Sequence, residues 1–438
     1  MTLTERTAAR IDELVAGAQA QGRTPCLVAA VVRDGRRVHF SAAGADPATG
    51  APTPDTQFRI GSISKTMTAV LVLQLRDEGA LALDDLLYRH LPGTPVGSAI
   101  TIRQLLGHAS GLQREPDGPW WERHDGPDLD TFLAALTPDK LAYPPHRAYH
   151  YSNLAYGLLG AVVHRLTGLH WTEQITKRLL EPLGMSRTTY RETEPFARGY
   201  VVHPWHGTLH EEPRTDAGAM APAGQLWSTA DDLLKWAAFL AEPDPAVLAP
   251  ATLAEMCAPV VMSDLESWTT GHGLGLELVR SGERVFAGHG GSMPGYLAHL
   301  WTHRASRTGV VTFANAYTLH GQRMAELSRR LLADVLDGEP ERPAPWQPAP
   351  EAGEPHELDG AWWWMGREFA ARYDAAAGEL VVTPVTVPGT PWRFTTEGAD
   401  VWRCHSGSND GEVLRVRRDA ERTPVELDIA TFVHTRQP

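Results

Sequence analysis

The sequence predicts an α/β (α+β) protein of two units: a large one built on an antiparallel sheet flanked by helices, with a helical insertion, and a small all-β one at the C-terminus. Three observations predict it. Strand-like segments cluster at the two ends of residues 1–338, with helical patterning between them. A stretch from Glu339, "EPERPAPWQPAPEAGEP", is too rich in proline to sustain helix or strand and reads as a stiff linker over 339–356. Residues 357–438 then show short alternating segments between Gly, Asp and Pro turns, the pattern of a small sandwich or barrel.

Taken in chain order, the first element is an amphipathic helix: Ala8, Ile11, Leu14, Val15 and Ala18 of "MTLTERTAARIDELVAGAQAQG" recur at helical spacing. Charges break that run, so it holds no uninterrupted apolar core of a secretory signal, and a cytoplasmic location is expected. "CLVAAVV" and "RRVHFSAAG" flank Asp34-Gly35 as a strand, tight turn and strand. From Ser62 to about Gly79 the chain reads as a helix, with Met67, Val70, Leu71, Leu73 and Leu75 apolar and Gly79 as its stop. Asp84 to Gly271 is helical in pattern but broken by Pro and Gly. Strands return at "HGLGLELVR", "RVFAGHG", "YLAHLWTH" and "GVVTFANA", and "GQRMAELSRRLLADVLDG" reads as a closing helix. One sheet assembled from both ends of this unit accounts for that order.

With 438 residues, 42% of them hydrophobic, the chain fills an ordinary core. Its net charge of -13, with both signs mixed along the sequence, excludes nucleic acid and anionic membrane as main partners, since both require basic surface. No apolar run approaches the ~18 residues of a membrane span. Cys26, Cys257 and Cys404 are odd in number and far apart, which suits free thiols in a reducing compartment. The 19 histidines include no HExxH pair and the cysteines no CxxC pair, so neither a metal nor a cofactor is expected.

Chemistry is signalled at three places. In "RIGSISKTMTAV", Ser62 and Lys65 stand one helical turn apart on the same face, within mutual reach. At a helix N-terminus the backbone dipoles favour negative charge on the serine oxygen and oppose a protonated lysine. The same spacing also fits a helix cap followed by a solvated lysine. "HYSNLAYGLLG" sets Tyr151, Ser152 and Asn153 before another apolar helix, offering a phenol as proton relay and a carboxamide for a substrate amide, or a cap and a core aromatic. "FAGHGGSMPGYLAH" sets His289 beside Gly290 and Gly291 on a strand edge, where two glycines permit close approach of a ligand to the backbone.

Together "GSISK", "YSN" and "GHGG" resemble the three active-site motifs of the penicillin-binding protein and class C β-lactamase superfamily, serine acyl-transfer enzymes with an S-x-x-K nucleophile motif. The resemblance spans roughly residues 8–337 and includes "TIRQLLGHASGLQ", "LLEPLGMSRTTY" and "APAGQLWSTADDLLKW". It implies that Ser62 is acylated, Lys65 is its base, Tyr151 relays the proton, Asn153 binds substrate amide and His289 occupies the place of the third-motif lysine. It further implies an oxyanion hole of the Ser62 and Ser292 N–H groups and substrate contacts at Gln113, Gly224, Gly290 and Gly291. His-Gly-Gly in place of Lys-Thr-Gly removes a permanent cation and a hydroxyl, which makes efficient β-lactam hydrolysis unexpected.

A C-terminal β unit behind a proline linker is similar to the lipocalin-like unit of penicillin-binding-protein-type thioesterases. That resemblance implies a peptidyl thioester or carrier-protein-bound peptide, with a D-configured C-terminal residue, released as a head-to-tail macrolactam. Two alternatives share the same residues: a hydrolase, either an esterase or a D-amino-acid-specific peptidase, and a sensor trapped at the acylated stage. The cluster Trp362-Trp363-Trp364 reads either as barrel core or as part of a roof over the cleft. The loop from Gln113 to Asp128, with Trp120 and Trp121 expected exposed, reads as a channel wall or plain surface. Arg436 reads as a solvated terminal residue or a partner for an anionic substrate group.

Overall fold

"CLVAAVV" is apolar at every position because both faces of its strand are covered. In the structure, a computed structural model that describes residues 2–317, 319–321, 323–340 and 356–438, β1 (Cys26–Arg33) and β2 (Arg36–Gly44) form the expected hairpin. Cys26, Val28, Ala30 and Val32 enter one core cluster, while Leu27, Ala29 and Val31 enter another on the opposite face. Further strands follow late in the unit: β3 (Val261–Met262), β4 (Thr270–His272), β5 (Glu277–Ser281), β6 (Arg284–Met293), β7 (Tyr296–His303) and β8 (Thr308–Ala314). They complete an antiparallel sheet in the order β2-β1-β8-β7-β6-β5-β4-β3. The N-terminal hairpin thus pairs with the last strand, as the clustering of strands at both ends predicts.

Two terminal helices cover the second face. Helix α1 (Glu5–Gly22) is capped by Thr4 and buries Ile11, Val15 and Ala18. The closing helix (Met324–Gly338) buries Leu327, Leu331, Leu332 and Val335 in the same cluster. Each such fully buried aliphatic side chain stabilises the fold by about 1.5–3 kcal/mol relative to exposure. Glu339 Oε1 accepts from both the N–H and the hydroxyl of Thr4, at 2.8 and 2.7 Å, joining the end of one helix to the start of the other.

The first face carries the long helices that hold the site: α2 (Ser64–Asp77), α3 (Asn153–Thr167) and α4 (Ala230–Ala241). Apart from α3, α4 and the edge strands β3 and β4, the segment from Asp84 to Gly271 holds short helices and a few two- or three-residue strands between irregular stretches. "HGLGLELVR" is not one strand: it turns back at Gly273–Leu276 between β4 and β5. Gly275 there has φ of +79°, and a Cβ on it would stand 2.2 Å from the Ala69 Cβ, so glycine alone lets this turn press on α2. No described helix is long and apolar enough to cross a membrane. The three cysteines are free, Cys26 and Cys404 buried and Cys257 partly so.

The chain divides into two compact units, Met1–Arg342 and Pro343–Pro438. The proline-rich linker expected over 339–356 lies, from residue 341 to 355, outside the described residues. The second unit resolves the choice between sandwich and barrel: eight strands pair in sequence order and close into an antiparallel barrel. These are β9 (Gly360–Trp364), β10 (Arg367–Asp374), β11 (Glu379–Pro384), β12 (Trp392–Gly398), β13 (Val401–Cys404), β14 (Val413–Arg418), β15 (Pro424–Ile429) and β16 (Phe432–Thr435). Trp362, Phe394, Leu414 and Leu427 are fully buried inside, so the barrel is a packed core at its centre. Closure also removes the exposed edges an open sheet would present. Arg436 is not free in solvent: its guanidinium lies 3.8 Å over the Trp362 ring and donates to the carbonyls of Glu357 and Asp359.

Candidate functional site

Ser62 sits in a 3-10 turn (Gly61–Ile63) that leads directly into α2. The turn is built against the far half of β6. Strand β5 pairs with β6 only as far as Gly288, which leaves His289–Met293 paired on one side by β7 and open on the other. Two glycines make that junction possible. A Cβ on Gly61, at φ +51°, would stand 2.6 Å from the Ser292 nitrogen, and one on Gly291 would stand 1.9 Å from the Ile60 carbonyl oxygen and 3.2 Å from the Ser62 nitrogen. The backbone nitrogens of Ser62 and Ser292 are thereby held side by side at the strand edge.

Lys65 is fully buried, and its Nζ lies 2.9 Å from Ser62 Oγ. Nζ also donates to the Ala223 carbonyl at 2.6 Å. Burial pushes the Lys65 pKa down to about 7, against the opposing pull of the Glu115 and Glu122 carboxylates, while the Arg114 cation lowers it further. Near neutral pH a large fraction of Lys65 is therefore uncharged, with a lone pair able to accept the Ser62 proton. Tyr151 stands on the other side: Nζ is 5.1 Å from its ring centroid, and its phenol interacts with the Ser62 hydroxyl. Burial drives the Tyr151 phenol well above its ordinary pKa, so it is a neutral donor.

Asn153 begins α3, and its neighbour Ser152 caps the helix by accepting from the Ala155 N–H. The cap offered by "YSN" is thus Ser152. The Asn153 amide nitrogen donates to the two oxygens of Glu115, at 2.8 and 2.9 Å, and its Oδ1 is buried without a protein partner. Asn153 consequently presents an acceptor. Glu115 Oε2 also accepts from the Trp121 indole at 2.8 Å. Trp121 is only 4% exposed, contrary to the expectation from the sequence, because this bond satisfies its single polar atom inside the loop; Trp120 is 49% exposed. Glu122, bonded to the Trp120 indole, has its carboxyl pKa raised by burial and by Glu115.

His289 is buried and held neutral, its pKa pushed well below the ordinary value by burial and by nearby Lys65 and His272. Its Nδ1 bonds to the Gly290 carbonyl, which only accepts, so Nδ1 carries the hydrogen and Nε2, without a protein partner, is an acceptor. Two further histidines stand near it: the His272 ring lies 6.2 Å from His289 and 5.3 Å from His108, and His108 stacks on Tyr151 at 4.3 Å. His108 Nδ1 accepts from the Ser152 N–H. Burial keeps the pKa values of both low.

The remaining expected contacts are placed less directly. Gly224 is buried, and a Cβ there would meet Trp121 and Met293 at 3.4 Å; its predecessor Ala223 supplies the carbonyl that holds Lys65. A Cβ on Gly290 would strike the His299 imidazole at 2.3 Å, on the neighbouring strand. Gln113 donates through its side chain to the Glu115 carbonyl and Asp117, and lines a cavity of about 340 Å³ with Trp121, Phe132 and Leu154. None of Ser62, Lys65 and Tyr151 lines that cavity; Trp121 is the wall between it and Gly224. Glu115, Glu122, His108 and His272 are the residues that motif spacing missed.

Comparison with known proteins agrees with this arrangement. Residues 11–334 match the family model Beta-lactamase, and residues 351–436 match a domain of unknown function, DUF7586. Among curated proteins, Putative beta-lactamase-like 1 of Homo sapiens is 33% identical over 234 residues, 50% of this chain and 46% of that protein. Beta-lactamase-like protein 2 of Dictyostelium discoideum is 30% identical over 221 residues, 48% of this chain and 40% of that protein. The matched region thus spans less than half the length of these relatives. Among solved structures, SurE superposes with a TM-score of 0.63 and 25% identity over 98% of this chain and 99% of its own. A D-stereospecific amidohydrolase from Streptomyces sp. does so with a TM-score of 0.63 and 28% identity, over 73% of this chain and 98% of its own. With three quarters of its length under one family model, and a serine, lysine and tyrosine gathered at one strand edge, this chain belongs to the Beta-lactamase family.

Proposed function

We propose that the chain is a serine acyltransferase that takes a peptidyl thioester ending in a D-residue and releases it by attack of the peptide's own amine, giving a macrolactam. The observation that carries the acyl-transfer step is the buried Lys65 amine, uncharged near neutrality, 2.9 Å from Ser62 Oγ. Lys65 accepts the hydroxyl proton as Oγ bonds to the acyl carbon. The oxyanion forms beside the Ser62 and Ser292 N–H groups. As the C–S bond breaks, the proton passes through Tyr151 to the departing sulfur, leaving the Ser62 ester. Asn153 Oδ1 accepts from a substrate amide N–H, and His289 Nε2 accepts a donor on the opposite side of the cleft. An incoming amine then loses its proton along the same path, forming an amide and freeing Ser62. Holding donor and amine in one molecule makes ring closure unimolecular, which is how it outruns water.

Support for the D-residue comes from similarity to SurE along nearly the full chain, including a structure of SurE with D-Leu. A hydrolytic reading is favoured by one observation, the similarity of the catalytic unit to a D-stereospecific amidohydrolase. The two differ in the fate of the acyl-enzyme. Mass spectrometry of products from a short peptidyl thioester with a C-terminal D-residue separates them: cyclic product absent with Ser62→Ala is expected. Linear acid alone assigns a D-selective hydrolase, and an unaltered rate with Ser62→Ala rejects both.

A further inference from the structure

Tyr151 is the one group of the acyl-transfer step that no helix or strand carries: it lies in the irregular segment just before α3, one residue ahead of the Ser152 cap. A second irregular segment fixes it, and chiefly one residue of that segment, His108. The main-chain N–H groups on both sides of Tyr151 go to this residue. The His150 N–H donates to the His108 carbonyl at 2.9 Å, and the Ser152 N–H donates to His108 Nδ1 at 3.1 Å. The His108 imidazole also stacks on the Tyr151 ring, with centroids 4.3 Å apart and planes 29° from parallel. The residues that follow extend the same clasp: the Gln113 carbonyl accepts from Ser152 Oγ, and the Arg114 carbonyl from the Asn153 N–H, both at 2.8 Å.

The backbone of His108 stands at φ +55°, the left-handed region that costs a residue other than glycine about 1–3 kcal/mol. Glycine would hold that turn without strain, yet it would offer neither an acceptor to the Ser152 N–H nor a ring to Tyr151. The imidazole is 1% exposed and burial keeps it neutral, so Nδ1 is free to accept while Nε2 carries the hydrogen. A protonated ring would carry a hydrogen on Nδ1 and lose that bond.

We propose that His108 is a positioning residue for the acyl-transfer step, holding the Tyr151 hydroxyl in place between Lys65 and the leaving group. The inference rests on the reading of Tyr151 as the proton relay. In that step Tyr151 gives its hydroxyl hydrogen to the departing atom as the bond to the acyl carbon breaks, and takes in exchange the proton that Lys65 accepted from Ser62. A misplacement of about 1 Å at such a transfer costs on the order of 10²-fold in rate. His108 therefore matters most for leaving groups that cannot depart without a proton.

The test compares kcat/KM of the full chain for the 4-nitrophenyl and ethyl esters of one N-acetyl D-amino acid. 4-Nitrophenolate departs unprotonated, whereas ethoxide must be protonated. Both rates are read on the same sample, so any loss of folded protein cancels in their ratio. His108→Gly keeps the left-handed turn and removes the ring; it should slow the ethyl ester on the order of 10²-fold and leave the 4-nitrophenyl ester close to its wild-type rate. His108→Asn tolerates the same backbone and offers Oδ1 in place of Nδ1 but no ring, so it should show a smaller loss, again confined to the ethyl ester. In a Tyr151→Phe background, His108→Gly should shift the ratio no further, because the group it acts through is gone. Equal slowing of both esters in either variant, a ratio left at the wild-type value, or a further shift on top of Tyr151→Phe would each overturn the proposal. If Tyr151→Phe by itself leaves the ratio unchanged, the relay falls and the role of His108 falls with it; if Tyr151→Phe shifts the ratio and the His108 variants do not, His108 alone is removed.

Discussion

At the scale of single residues, the charge of Lys65 decides when the enzyme works. Its folded pKa is depressed to about 7, so the reactive amine form is lost as pH falls through that value. The pH profile of kcat/KM on a simple ester should therefore show an acidic limb centred near pH 7. Glu115 opposes that depression by favouring the cation, so Glu115→Gln should move the limb to lower pH; a limb that stays put, or moves up, would remove Glu115 from the electrostatics of the site. The same depression has a thermodynamic sign. Between pH 7 and the ordinary lysine pKa of 10.5, the unfolded chain binds a proton that the folded one refuses, so stability falls as pH falls through this window. Lys65→Met should accordingly abolish turnover yet raise the melting temperature of the catalytic unit at pH 7, by roughly 2–4 °C per kcal/mol relieved. Ser62 and Lys65 were legible in the sequence because their relation is local, one helical turn. Glu115 was not: its partners, Asn153 and the amine of Lys65, are brought to it from elsewhere in the chain by the fold.

At the scale of elements, the site is a junction between a turn and a strand edge, and glycine is what lets them touch. Gly291 faces the Ile60 carbonyl and Gly290 faces the His299 side chain, so adjacent positions make opposite demands. Gly291→Ala must push the Ser62 turn off β6, separating the two backbone N–H groups; turnover should slow by a factor of about 10²–10³, the loss typical of removing one oxyanion donor. Gly290→Ala meets an imidazole on the other face and should cost stability more than rate. Turnover rates and melting temperatures measured for the pair check this, and equal rate losses would argue against the junction as the oxyanion site. The sequence marked both glycines as places where a ligand approaches the backbone, whereas the structure sets the chain's own Ile60 carbonyl and His299 side chain against them. The sequence did not reveal which surface each approaches, because that depends on strand pairing. The hairpin of β1 and β2 was readable from Asp34-Gly35, whereas the turn at Gly273–Leu276 was hidden inside an apolar run that reads equally well as a single strand.

At the scale of the whole molecule, every group assigned to the acyl-transfer step lies within Met1–Arg342, while the barrel has its own closed core around Trp362 and Phe394. Each unit buries its apolar faces internally, the physical condition for folding alone. A chain ending at Gly338 keeps the closing helix whose Leu331 and Val335 seal one face of the sheet. It should therefore fold and retain Ser62-dependent hydrolysis of a small ester at close to the full-length rate. Macrocyclisation sets a stricter requirement, since the acyl-enzyme must persist until the peptide's amine arrives and water must be kept from it meanwhile. If the barrel helps hold the peptide, the truncated enzyme should turn the same peptidyl thioester into a larger share of linear acid, with ester hydrolysis unchanged. The ratio of cyclic to linear product, measured by mass spectrometry on both chains, reads this directly. An unchanged ratio in a truncated chain that is folded and active on the ester would confine the choice between amine and water to the cleft around Glu115, Asn153 and His289.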